Sequence, residues 1–184
     1  TISGIMTAHM DSVPMVVITG QQVTWMLGKD AFQEADIFGI SMPVVKHSYL
    51  VKETNDLPRI AKEAHHIATT GRPGPVLIDI PKDVSQNPFT GDLDQEMDLP
   101  GYQPEKAGNT DPAAIQAILE ALKLSKRPVI LAGHGAVLAH AEFELKTFAE
   151  TLNAPVTSTL LGKGVFPETH NLALGMLGMH GTAY

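Results

Sequence analysis

Phe32 and Gln33 stand side by side in the polar stretch Gly28-Lys29-Asp30-Ala31-Phe32-Gln33-Glu34. This stretch follows a short apolar run, Met15-Val16-Val17-Ile18, that stops at Thr19-Gly20-Gln21. The pair offers a stacking face beside an amide that both donates and accepts hydrogen bonds. A packed phenylalanine with a surface glutamine is the plain alternative. Lys82 comes after Pro81, at the end of the run Val76-Leu77-Ile78-Asp79-Ile80. A cation there is delivered to the sheet edge where open α/β folds bind ligands, although many lysines at such positions are only solvated. Arg72 lies in the turn Arg72-Pro73-Gly74-Pro75, which the prolines stiffen. A fixed guanidinium suits a phosphate or the edge of a flat cofactor, and a surface salt bridge is the alternative.

The second half of the chain holds three small, apolar loops. Gly133-His134-Gly135 follows an apolar run and precedes a helical pattern, so backbone amides and a helix N-terminus can approach a diphosphate or ribose there. The third glycine of a full dinucleotide fingerprint is absent, and a plain tight turn fits the motif equally well. Thr159-Leu160-Leu161-Gly162 also ends an apolar run, and Leu177-Gly178-Met179-His180-Gly181 is a third small, apolar loop that bears a histidine. Three such loops on one side of a sheet suit a large, flat, partly apolar cofactor; ordinary packing at strand exits is the alternative. No metal site is expected. The eight histidines are scattered, and His65-His66 point to different faces of a helix. Trp25, the only tryptophan, is expected at a pocket wall or an exposed contact.

These loops need strands and helices to hold them. In the first block, residues 1–83, strands are expected at Pro14–Thr19, Val44–Val51 and Val76–Ile80, each covered on both faces. Leu57, Ile60, Ala61, Ala64, Ile67 and Ala68 define one face of a helix from about Asp56 to Thr70. Asn55 or Asp56 can cap it and Gly71 can end it. Strand, helix and strand in this order make a right-handed parallel crossover. Residues 84–108 read as a linker that wraps over the surface. In the second block, residues 109–184, Asp111-Pro112 opens a helix with Ile115, Ile118, Leu119 and Leu122 on one stripe. A strand at Val129–Leu131, a helix at about Ala139–Leu152 and a strand at Pro155–Thr159 follow. The alternation repeats the α/β plan. The opening Gly4–His9 reads as the tail of a helix, and the chain reads as a piece of a longer protein.

Composition sets the outer limits. The chain has 184 residues, 43% hydrophobic and 18% charged, which suits a globular protein. No apolar run is long enough to span a membrane. Zero cysteines exclude disulfides, thiolate metal sites and a cysteine nucleophile. They also fit a cytoplasmic home. A formal charge of −7 argues against nucleic acid as the main partner.

At these residues the sequence resembles the large catalytic subunit of acetolactate synthase (acetohydroxyacid synthase), a family of thiamine diphosphate enzymes that also carry FAD. The resemblance rests on Met10–Pro14, Ile18–Gln21, Asp30–Asp36, Gly39–Pro43, Gly71–Val76, Asp79–Asp83, Ser158–Leu160 and Met176–Thr182. It implies an α/β fold in which the end of a parallel-sheet, pyrimidine-binding domain precedes a Rossmann-like central domain that contacts FAD. By matching position it places Gln33 and Ser12 on the thiamine side, and Phe32, Lys46 and Lys82 along the substrate channel. Gln33, Phe32 and Lys82 would serve catalysis. Arg72, Gly133, His134, Gly135, Thr159, Leu160, Leu177, Gly178, Met179 and His180 would approach FAD. The implied reaction joins two 2-keto acids with decarboxylation, in a homo-oligomer that can take a regulatory small subunit. The family's catalytic glutamate would lie upstream of residue 1, and its Mg²⁺ and diphosphate motif downstream of residue 184. The segment by itself is therefore expected to be inactive. The chain departs from the family in Gly20-Gln21-Gln22-Val23-Thr24-Trp25, which lacks the usual proline, and in His134, which replaces the middle glycine of a triplet. A flavin-dependent pyruvate oxidase or another thiamine diphosphate carboligase or decarboxylase, and a non-catalytic nucleotide-binding module, are the alternatives.

Overall fold

The computed structural model describes residues 1–102 and 110–181. The chain divides into two compact units, Thr1–Ala107 and Gly108–Tyr184. The change of unit falls at the end of the expected linker, of which residues 103–108 lie outside the described residues.

The first unit is built on β3 (Pro75–Pro81), which pairs in parallel with β1 (Met15–Gln21) on one side and β2 (His47–Leu50) on the other. Alternation in β3 sends its side chains to two cores. Val76 and Ile78 pack on α3 (Leu57–Thr69) through Ile60, Ala64, Ile67 and Ala68. Leu77 packs on the opposite face with Ile5 of α1 (Ile2–Met10) and with Val44. A strand sandwiched in this way explains the unbroken aliphatic run read from the sequence. β1 departs from that expectation. It lies at the edge of the sheet among the described residues, and Ile18 is 68% exposed.

Neither Asn55 nor Asp56 caps α3 with its side chain. Asn55 accepts from the Thr90 amide at 3.0 Å, and Asp56 pairs with Arg59 at 3.2 Å. The helix opens instead on Pro58, whose fixed φ suits a first turn. It ends at Thr69, and Gly71 then takes φ +63° in the turn to β3. Two short helices were not expected: α2 (Ile37–Ser41) and α4 (Lys82–Gln86), the latter beginning directly after β3. Each has only five residues, too short for periodicity to mark. Residues 89–102 run over the surface of this unit. Gln95 Nε2 donates to the Asn55 carbonyl at 2.7 Å, and the Asp98 amide donates to the buried Glu63 at 2.8 Å.

The second unit is a parallel sheet of β4 (Ile130–Ala132), β5 (Val156–Ser158) and β6 (Ala173–Met176), in that order. Its core joins Ala132, Val156, Val165, Phe166 and Ala149, the last from α7 (Glu142–Leu152). The expected cap is present on α5 (Pro112–Leu124), where Asp111 accepts from the Ala113 amide at 2.9 Å. The stripe Ile115, Ile118 and Leu119 on α5 remains exposed among the described residues. The expected helix at 139–152 is α7, which starts only at Glu142, after His140 takes φ +51°; α6 (His134–Leu138), just before it, was not expected. β6 was not expected; its Gly175, with φ +72°, interrupts the aliphatic signal.

Candidate functional site

In a parallel sheet every strand delivers its C-terminal residues to the same edge. In the first unit that edge carries a cavity of about 380 Å³ lined by Gly20, Gln21, Gln22, Gln33, Ile80, Lys82 and Ser85. The structure thus brings Gln33 and Lys82 together from positions almost fifty residues apart. Lys82 reaches the edge because β3 ends at Pro81. Gln33 reaches it because the loop after β1 folds back onto the strand end.

That loop is built around a carboxylate. Glu34 accepts from the amides of Gly28, Lys29 and Ala31, the last two at 3.3 and 2.9 Å. The Ala31 and Gly28 amides hold its carboxyl below the usual range, against a smaller desolvation effect. Asp30 and Gln33 both take positive φ, 53° and 61°. Two glutamines fasten the loop to the strand. Gln21 Nε2 donates to the Ala35 carbonyl at 2.6 Å, and Gln22 Nε2 donates to the Phe32 carbonyl at 2.7 Å. Gln21 Nε2 also reaches Asp79 Oδ2 at 3.0 Å, and Thr19 Oγ1 donates to Asp79 Oδ1 at 2.6 Å. Asp79 is a carboxylate buried inside β3. Burial pushes its carboxyl up, and the Thr19 and Gln21 hydrogen bonds only partly oppose this. On the other flank, Asp83 accepts from the Thr24 amide at 2.9 Å and the Thr24 hydroxyl at 2.6 Å. This bond ties the start of α4 to the loop that carries Trp25.

Phe32 does not line the cavity and is 82% exposed. The structure does not bring Ser12 or Lys46 to this edge. Ser12 precedes β1 and Lys46 precedes β2, so both lie at the N-terminal end of the sheet. The length of β3, about 20 Å at 3.3 Å per residue, separates them from Lys82. Ser12 accepts from Arg72 Nε at 2.8 Å, and the same guanidinium donates to the Met10 carbonyl at 3.1 Å. Arg72 therefore holds the C-terminal end of α1 while remaining exposed. Lys46 donates to the carbonyls of Ile67 and Thr70, the latter at 2.7 Å, which satisfies the C-terminal end of α3.

In the second unit the three expected loops do meet at one edge. The Thr159 amide donates to the Ala132 carbonyl at 3.0 Å, and the Leu177 amide donates to the Ser158 carbonyl at 3.2 Å. Gly162 is packed so closely that a Cβ would lie 2.5 Å from the Ala132 carbonyl oxygen. A Cβ on Gly135 would meet nothing within 4 Å, so backbone is open to approach there. Leu160 and Met179 flank this glycine edge at 70% and 91% exposure. Open backbone with an apolar rim fits a broad, flat group such as an isoalloxazine. The helix after Gly133 has only five residues, so its dipole adds little for a diphosphate. Thr182, the last residue of the segment Met176–Thr182 that carries the resemblance, lies outside the described residues. Among the described residues, no three His, Asp or Glu side chains converge as a metal-ligand set.

Gln21, Gln22, Ser85 and Asp79 were missed as site residues. Asp79 carried a signal: an acid within a buried aliphatic strand needs partners, and those partners lead to the site.

Residues 115–184 match the central domain of thiamine pyrophosphate enzymes. Over 188 aligned residues, covering the whole chain, the protein is 50% identical to an acetolactate synthase of Arthrospira platensis, of which this covers 32%. It is 48% identical to the acetolactate synthase isozyme 3 large subunit of Escherichia coli, over 98% of this chain and 32% of that protein. An X-ray structure assigned to a thiamin diphosphate-dependent enzyme of Mycobacterium smegmatis superposes with a TM-score of 0.73 at 26% identity, over 97% of this chain and 34% of that one. The chain spans about a third of the length of the curated relatives it matches. Along essentially its whole length it is similar to acetolactate synthases, large subunits among them.

Proposed function

We propose that this chain is the part of an acetolactate synthase large subunit that ends the pyrimidine-side domain and forms most of the central domain. The enzyme would condense two 2-keto acids, pyruvate with pyruvate or 2-ketobutyrate, with loss of carbon dioxide. The observation that carries this reading is the whole-chain identity of about half to acetolactate synthases. The placement of Gln33 and Lys82 around one cavity at the carboxyl edge of the first sheet supports it.

Thiamine diphosphate, when bound, supplies the electron sink for decarboxylation. The protein's share is to orient and to exclude water. Gln33 would hydrogen-bond the cofactor or the reacting keto acid. Lys82 would neutralise the carboxylate of an incoming 2-keto acid, and the exposed Phe32 ring would wall the acceptor side. FAD would meet Gly133–Gly135, Thr159-Leu160 and Leu177–His180; its role would be structural, since the reaction has no net oxidation. Mg²⁺ would be held outside this segment. A regulatory small subunit fits the name "large subunit" that several relatives carry.

Gln33→Ala in the intact polypeptide tests the assignment. It should cut acetolactate formation about a hundredfold while leaving the FAD content near that of the parent. Equal loss of both would remove Gln33 from the reacting site.

A further inference from the structure

We propose that Gln21 and Gln22, with Asp79 behind them, are positioning residues that hold Gln33 in its working geometry. The inference rests on the reading that Gln33 meets the cofactor or the reacting keto acid. Gln33 sits at φ +61°, a backbone region unfavourable for a non-glycine residue that persists only when neighbours over-determine it. Its neighbours do so. The carbonyl before it, of Phe32, accepts from Gln22 Nε2 at 2.7 Å; the carbonyl of Ala35, two residues after it, accepts from Gln21 Nε2 at 2.6 Å.

The polarity of the Gln21 amide is fixed. Its nitrogen has two acceptors, the Ala35 carbonyl and Asp79 Oδ2, and its oxygen accepts from the Gln22 amide at 2.8 Å. A flipped amide would set its oxygen against two other oxygens. Asp79 enforces this orientation and is itself held by Thr19 at 2.6 Å. A line of hydrogen bonds therefore runs from the buried centre of β3 to the loop at the cavity rim. Glu34 gathers the amides of Gly28, Lys29 and Ala31 on the far side and gives the two glutamines a rigid loop to pull on.

The test uses the intact polypeptide carrying Gln21→Met or Gln22→Met, of similar length without the amide, alone and combined with Gln33→Ala. Acetolactate turnover, KM for pyruvate, FAD content and melting temperature are measured together. Each glutamine variant should lose about ten- to a hundredfold in kcat, with small change in KM and retained FAD. Adding either to Gln33→Ala should cause no further loss, because both act through Gln33. Asp79→Asn keeps an oxygen for Gln21 Nε2, so it should recover most of the turnover that Asp79→Leu loses. Fully additive losses, or parental turnover in both glutamine variants while Gln33→Ala is impaired, overturn the proposal. Parental turnover in Gln33→Ala itself would instead overturn the reading on which it rests.

Discussion

Asp79 is where charge and burial conflict. Its carboxyl is raised by burial, so the folded protein holds that proton more tightly than the unfolded chain does. The sign follows: the stabilising contribution is full below the unfolded carboxylate pKa and is lost as pH rises through the folded value. Asparagine does not titrate. The melting temperature of Asp79→Asn relative to the parent should therefore climb between acid and neutral pH. Glu34 and Asp83, which are lowered and act in the opposite sense, are common to both proteins and cancel in the difference. A difference that stays flat with pH would show that Asp79 does not titrate as described. Glu63 is another buried acid. It accepts from the Tyr49 hydroxyl at 2.9 Å, Arg59 at 3.0 Å and the Asp98 amide at 2.8 Å. Glu63→Ala strips the partner from all three, and equilibrium unfolding should register a loss of about 2–3 kcal/mol.

At this scale the sequence was partly legible. Gln33 and Lys82 could be named because both follow apolar runs. Their long-range partners could not, because Asp79 meets Gln21 across fifty-eight positions. Lys46 shows the reverse problem. The resemblance sets it along the substrate channel, whereas its ammonium is taken up by the carbonyls that end α3.

The elements follow rules that single substitutions can probe. Gly162 admits no side chain, since a Cβ would sit 2.5 Å from the Ala132 oxygen and 3.1 Å from the Gly133 Cα. Gly162→Ala should force the β4 and β5 exits apart and cost about 1–3 kcal/mol. If those exits hold FAD, flavin absorbance of the purified enzyme should fall with it. Asn153 ends α7 at φ +49°, a conformation glycine adopts more readily. Asn153→Gly should be neutral or stabilise by up to about 1 kcal/mol in a denaturant titration. Asn153→Ala should destabilise by a similar amount. Long elements such as α3 and α5 were legible because 3.6-residue periodicity accumulates over three turns. The five-residue α2, α4 and α6 were not, and the late start of α7 follows His140, whose backbone conformation no side-chain pattern announces.

The whole molecule is two α/β units, each with a parallel sheet and a loop-bearing carboxyl edge. Alternation of strand and helix patterns made that plan legible; the extent of each core was not. Periodicity says that β1 and α5 have apolar faces but not what covers them, and Ile18, Ile115 and Ile118 remain exposed among the described residues. No helix among the described residues is long and apolar enough to cross a membrane. Each edge has the residue types its proposed ligand needs: amides and a lysine on the first, open glycine backbone with an apolar rim on the second.

The most direct measurement is of the products formed from pyruvate by the intact polypeptide supplied with thiamine diphosphate, Mg²⁺ and FAD. The account predicts acetolactate, formed only when thiamine diphosphate is present. Acetyl phosphate or hydrogen peroxide in its place, or flavin binding without thiamine-dependent turnover, would contradict it.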